Sequence, residues 1–195
     1  MSQQTQGTLN AIVPLLGQLV NLLSQIVVQL GGGGSHNPVS ASTAMLAYST
    51  TLNPGPLNIT PANQQNYGNV ISKIQKSDDF TNYVQDQIKK SSKNGTLNVP
   101  TDNDAYSFPF KSGDLLTSLH NVDAGLSGVK SPDGSWNLHV TLTDTYNFDP
   151  HRNYGTSVED RAVTTLNNSA FVGQQLGVVS TYPINISFDY KYNPQ

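Results

Sequence analysis

The stretch TLTDTYNFDPHR, Thr141–Arg152, sets two carboxylates, a phenol, an imidazole and a guanidinium between Asp144 and Arg152. Alternation over residues 136–148 places Trp136, Leu138, Val140, Leu142, Asp144, Tyr146 and Phe148 in one row of a strand, and Asn137, His139, Thr141, Thr143, Thr145 and Asn147 in the other. A carboxylate in the apolar row costs several kcal/mol unless it is ion-paired or bonded to a metal. The nearest cations are His151 and Arg152, which follow Pro150, a residue that would turn the chain back towards Asp144. The alternative ends the strand near Thr143, with Asp144 capping a turn and FDPHRNYG forming an ordinary polar loop.

The elements that would hold this stretch are readable on either side of it. SPDG, Ser131–Gly134, is a type I turn signal ahead of the strand. Thr156 and Glu159 form a capping box for a helix from about Ser157 to Leu176, ended by Gly177. VVSTYPINISFDYKY alternates through Tyr182, Ile184, Ile186, Phe188 and Tyr190 and predicts a C-terminal strand. Upstream, a helix over about Gln65–Gln75 would present Tyr67, Val70, Ile71 and Ile74. A second, capped by Ser77 with Asp78 and Asp79 in its first turn, carries Phe80, Tyr83, Val84 and Ile88 and stops at Asn94-Gly95. TLNV and AYSFPF read as short strands, and SGDLLTSLHN as a short helix with Ser112 as its cap. Residues 36–66, rich in Pro, Ser, Thr and Asn, read as loop. The expected class is α+β: N-terminal helices, then a mostly antiparallel sheet with one inserted helix.

Charge divides the chain. No Asp, Glu, Lys or Arg precedes Lys73, and charged residues are 12 % of the 195, about half of the usual ~25 %. Such a composition is commoner in exported proteins than in cytosolic enzymes. A net charge of −3 gives no field for nucleic acid, and the absence of cysteine excludes disulfides and thiolate metal sites. Residues 9–30 form an amphipathic helix with a neutral face of Gln18, Asn21, Gln25 and Gln29 opposite Leu15, Leu19, Leu22, Leu23 and Ile26. The expected partner of that helix is a protein surface, either another chain or this chain's own domain; a membrane surface is the alternative. Met1–Leu30 lacks the basic start of a secretory signal, which leaves export by another machine open. Gly31–Ser35, GGGGS, is a flexible tether or a joining linker that makes 1–30 a transplanted peptide. The organisation expected is therefore 1–30 helix, 31–35 linker and 36–195 a single α+β domain.

DTYNFDPHR resembles the activity-domain signature of the colicin M family of bacteriocins. Asp144 and Tyr146 match its first two positions and His151-Arg152 its closing pair; the family's second Asp falls at Asn147, and the interval to the His-Arg pair is shorter here. The resemblance implies an exported antibacterial toxin that cleaves lipid II, the lipid-linked pyrophosphate precursor of peptidoglycan, in the target-cell periplasm with Mg²⁺. It assigns Asp144 to the metal, His151 to proton transfer near neutral pH, Arg152 to a bidentate phosphate clamp and Tyr146 to orienting the metal-bound water or the lipid. Asp149 is the candidate to take over the role of the missing acid.

The rival reading is a non-enzymatic secreted protein that engages a partner through its apolar N-terminal helix. His120 reads as a helix-end imidazolium or a site residue facing Asp144, and His139 as solvent-facing. His36 is incidental to the linker, and Asp123 and Asp133 read as turn residues. No Ser-His-Asp order, P-loop, dinucleotide fingerprint or zinc spacing is present in the sequence.

Overall fold

The computed structural model describes residues 40–51, 53–101, 106–148, 158–175, 177 and 179–194. The segment 9–30, the GGGGS stretch, His36, Asp149, His151, Arg152 and Thr156 lie outside the described residues. The class is α+β, as the sequence predicts. In chain order the elements are α1 (Ala41–Ser49), β1 (Leu57–Ile59), a 3₁₀ turn (Gln64–Tyr67), α2 (Val70–Lys76), α3 (Asp78–Ser91), β2 (Thr96–Val99), β3 (Ser107–Pro109), α4 (Gly113–Ser118), β4 (Asn121–Lys130), β5 (Trp136–Tyr146), α5 (Val158–Gln175) and β6 (Tyr182–Tyr192). Among the described residues no helix is long and apolar enough to cross a membrane.

The sheet order is β1-β6-β5-β4-β2, with β3 also on β4. β2 and β3 lie end to end along β4, pairing with Leu126–Val129 and Asn121–Asp123 respectively. Every pair is antiparallel except β1 with β6. Because cross-strand partners share a face, the register sorts the residues into two surfaces. One carries Leu57, Ile59, Ile184, Ile186, Phe188, Leu138, Val140, Leu142, Val122, Ala124 and Leu126, all buried. The helices cover that face. Phe80 of α3 packs on Phe108, Phe188 and Tyr190, and the Tyr83 hydroxyl donates to the Ala124 carbonyl at 2.9 Å. The Tyr182 hydroxyl donates to the Met45 carbonyl of α1 at 2.7 Å. The opposite face is a field of Asn, Thr, Ser, His and Asp.

Four local expectations are corrected. Residues 36–66 are not all loop: Ser40 caps α1 through the Thr43 N–H, and LNI adds β1 to the sheet. Neither element has the length or amphipathic period that marks itself in sequence. The helix expected over 65–75 is broken at Gly68 and Asn69, both with positive φ, into a 3₁₀ turn and α2. Asn94-Gly95 does not itself stop α3, which ends at Ser91 with Ser92 already extended. With φ of 50° and 74° the pair makes the two-residue turn that closes Lys93 onto Thr96 through reciprocal 2.8 and 2.9 Å backbone bonds. Ser112 makes no side-chain cap. Asp114, in the first turn of α4, instead caps α1: its carboxylate accepts from the Ala41 and Ser42 N–H groups and the Ser42 hydroxyl at 2.7–2.9 Å and pairs with Lys73. Burial would raise the Asp114 carboxyl, but Lys73 and the Ser42 and Ala41 bonds outweigh it and hold it below its ordinary value. The clamp ties α1, α2 and α4 together.

Candidate functional site

β5 is regular through Tyr146, with Asp144 opposite Ile184 and Tyr146 opposite Tyr182. This excludes a strand ending at Thr143, and the strand stops two residues short of the expected Phe148, where the pairing with β6 ends at Tyr182. Asp144 therefore occupies the apolar row, as alternation predicts, but at the position where cover runs out: it is half-buried while Leu142 is fully buried. The pairing of β5 with β4 stops at Thr143↔Asp123. Just beyond it, the Thr145 N–H donates to Asp144 Oδ1 at 2.7 Å, which holds the carboxylate against the end of the ladder.

A groove of about 470 Å³ opens there, lined by Asn121, Asp123, Thr143, Asp144, Thr145, Asn147, Pro183 and Asn185. Residues of both rows contribute, so the groove wraps over the strand rim. Asp123 is not the turn residue its sequence context implied. It lies within β4, paired on one side with Thr143 and on the other with Ser107. Sequence reasoning also passed over Asn121 and Asn185, because each is an ordinary polar residue of its own strand and only register unites them. Asn185 is positioned by its Nδ2 donating to Asn58 Oδ1 of β1 at 3.0 Å.

The three motif positions within the described structure part company. Asp144 and Asn147 line the groove, whereas the Tyr146 ring is buried in an aromatic stack. It lies 5.1 Å and near-parallel to Tyr182, and 5.2 Å edge-on to Phe148. Burial first, then the neighbouring Tyr146, Tyr48, Tyr67 and Asp144, pushes the Tyr182 phenol far up, so it stays neutral and keeps its bond to Met45. Tyr146 thus forms part of the floor on which Asp144 stands. His120 sits at φ 54° between α4 and β4 and is not among the groove-lining residues. His139 is on the polar face, as expected. Asp133 accepts from the Ser135 hydroxyl and N–H within its turn, also as expected.

The donors offered to the groove are two carboxylates, three carboxamides and threonine hydroxyls, a hard-oxygen set that suits Mg²⁺. Among the described residues no three His, Cys, Asp or Glu cluster as a metal cage.

No family model and no curated relative matches the chain. Two solved structures do. PaeM, a colicin M-like bacteriocin produced by Pseudomonas aeruginosa, is 18 % identical with a TM-score of 0.35, covering 84 % of this chain and 53 % of its own. Truncated bacteriocin syringacin M from Pseudomonas syringae pv. tomato DC3000 is 17 % identical with a TM-score of 0.35, covering 78 % and 60 %. The chain thus spans between half and three-fifths of the length of these two proteins.

Proposed function

We propose that this chain is an antibacterial toxin domain that hydrolyses a lipid-linked pyrophosphate of the lipid II type in the periplasm of a target bacterium, with Mg²⁺. The observation that carries the reading is Asp144: a carboxylate in the apolar row of a regular strand, held at the rim of a polar groove that Asp123 shares. Mg²⁺, when bound, neutralises charge on the pyrophosphate oxygens. Asp144 and Asp123 hold it, and Asn121, Asn147 and Asn185 orient water or substrate hydroxyls by hydrogen bonds. His151 transfers the proton between water and leaving oxygen, Arg152 clamps a phosphate, and Asp149 supports the acid–base pair in place of the family's second acid. Tyr146 acts from beneath, by fixing the strand that carries Asp144.

The direct test is to incubate the full chain with lipid II and Mg²⁺ and separate the products. Release of a phosphorylated headgroup is expected. No release with Mg²⁺, Mn²⁺ or Ca²⁺ would remove the hydrolase reading.

A further inference from the structure

The polar face of the sheet carries a second reactive group, two strand rows away from the groove. His139 on β5 lies opposite Asp189 on β6, and Ser187, two residues earlier on β6, lies opposite Thr141 on the same face. The ladder fixes all three Cα positions, and strand alternation sends the three side chains to one side. The imidazole bridges the other two: Nδ1 is 2.9 Å from Asp189 Oδ1, and Nε2 is 3.1 Å from Ser187 Oγ. An ionised carboxylate only accepts, so Nδ1 carries the proton; the neutral ring then accepts at Nε2, and its donor is the Ser187 hydroxyl. The order carboxylate–imidazole–hydroxyl is that of an orienting group, a general base and a nucleophile. Chain order, His139 then Ser187 then Asp189, hides this in the sequence; register assembles it.

We infer that Ser187 is an acyl-accepting nucleophile, activated by His139 and with Asp189 as the positioning residue, and that its substrates are carboxylic esters with good leaving groups. Ser187 Oγ bonds to the ester carbonyl carbon as its proton passes to His139 Nε2. The carbon–oxygen bond to the leaving alcohol breaks, and that oxygen takes the proton from Nε2. Water, giving its proton to the same nitrogen, then attacks the acyl-serine and returns free Ser187 and a carboxylic acid. The group is open to substrate: the side chains of His139 and Asp189 are 54 % and 92 % exposed. β5 is flanked by β4 and β6, and β1 covers β6 only as far as Ile186, so Ser187 and Asp189 stand on the outer stretch of β6; the base acts here without a gathered set of oxyanion donors. The rate gain is therefore that of the general base, on the order of 10²–10⁴, which selects activated esters over amides.

The test uses the full chain with 4-nitrophenyl acetate, following acetylation residue by residue by peptide mass spectrometry. Ser187 should acetylate on the order of 10²-fold faster than the exposed Ser112 of the same protein, also a primary hydroxyl, a gain assignable to the base. His139→Gln should erase that advantage while leaving lysine acetylation unchanged, and Asp189→Asn should reduce it. These are surface side chains, so the variants should fold, and the comparison within the wild-type chain needs no variant. Equal rates at Ser187 and Ser112, or an undiminished rate at Ser187 in His139→Gln, would overturn the inference.

Discussion

Asp144→Asn separates a chemical role for this side chain from a structural one. Asparagine keeps the shape and the Oδ1 acceptor that receives the Thr145 N–H at 2.7 Å, and the pairing of residue 144 with Ile184 is a backbone property. At a half-buried position the loss of charge with the acceptor retained should change stability by no more than about 1 kcal/mol. Activity should respond on another scale. Removing one preorganised charged or hydrogen-bonding group from a site that stabilises developing charge costs about 2.7–4 kcal/mol, or 10²–10³ in rate. Two measurements on the same protein decide the matter: the urea midpoint, and headgroup release from lipid II with Mg²⁺, supported by killing when the chain is directed to the bacterial periplasm. An Asp144→Asn variant with a wild-type midpoint and wild-type release would refute the assignment. One that loses midpoint and activity together would make Asp144 a strand-end support instead.

Three further outcomes follow from the geometry. Asp123→Asn should leave the fold intact and weaken Mg²⁺ binding, read by calorimetry without substrate, on the order of tenfold, since carboxylate count sets hard-cation affinity; unchanged affinity would take Asp123 out of the ion's shell. Asp114→Ala should cost about 2–3 kcal/mol, combining a charge-assisted bond with a helix cap and discounted because Lys73 is 36 % exposed. The Asp114 carboxyl lies below its ordinary value of 3.8 when folded, so its contribution is full above that pH and is lost as pH falls through the lower folded value. The urea midpoints of wild type and variant should therefore converge on acidification, and a gap that stays constant down to the acid limit would refute the clamp. Gly128→Ala should destabilise by about 1–3 kcal/mol, because its Cβ would stand 2.0 Å from the Asn137 carbonyl oxygen across the β4–β5 ladder; an unchanged denaturation midpoint would contradict that register.

Local rules identified much of this protein from its sequence. Alternation alone located β5 and β6, placed Asp144 in the apolar row and put His139 on the polar one, because a two-residue period leaves no choice of face once the strand is regular. Ser77 with Asp78 and Asp79 announced α3, because the donors of a helix start are satisfied by residues adjacent in sequence. The signature Asp144-Tyr146 was visible for the same reason. What required the tertiary structure was every relation between distant residues. Asp123 meets Thr143, Asn185 meets Asn58, Asp114 caps a helix that begins at Ala41, and His139 joins Ser187 to Asp189, all through strand register or helix docking. Side-chain type and short spacing carry no record of which strands become neighbours. That is decided when the apolar rows of the strands are buried together under the helices, and the polar rows are then brought side by side on the other face as a consequence.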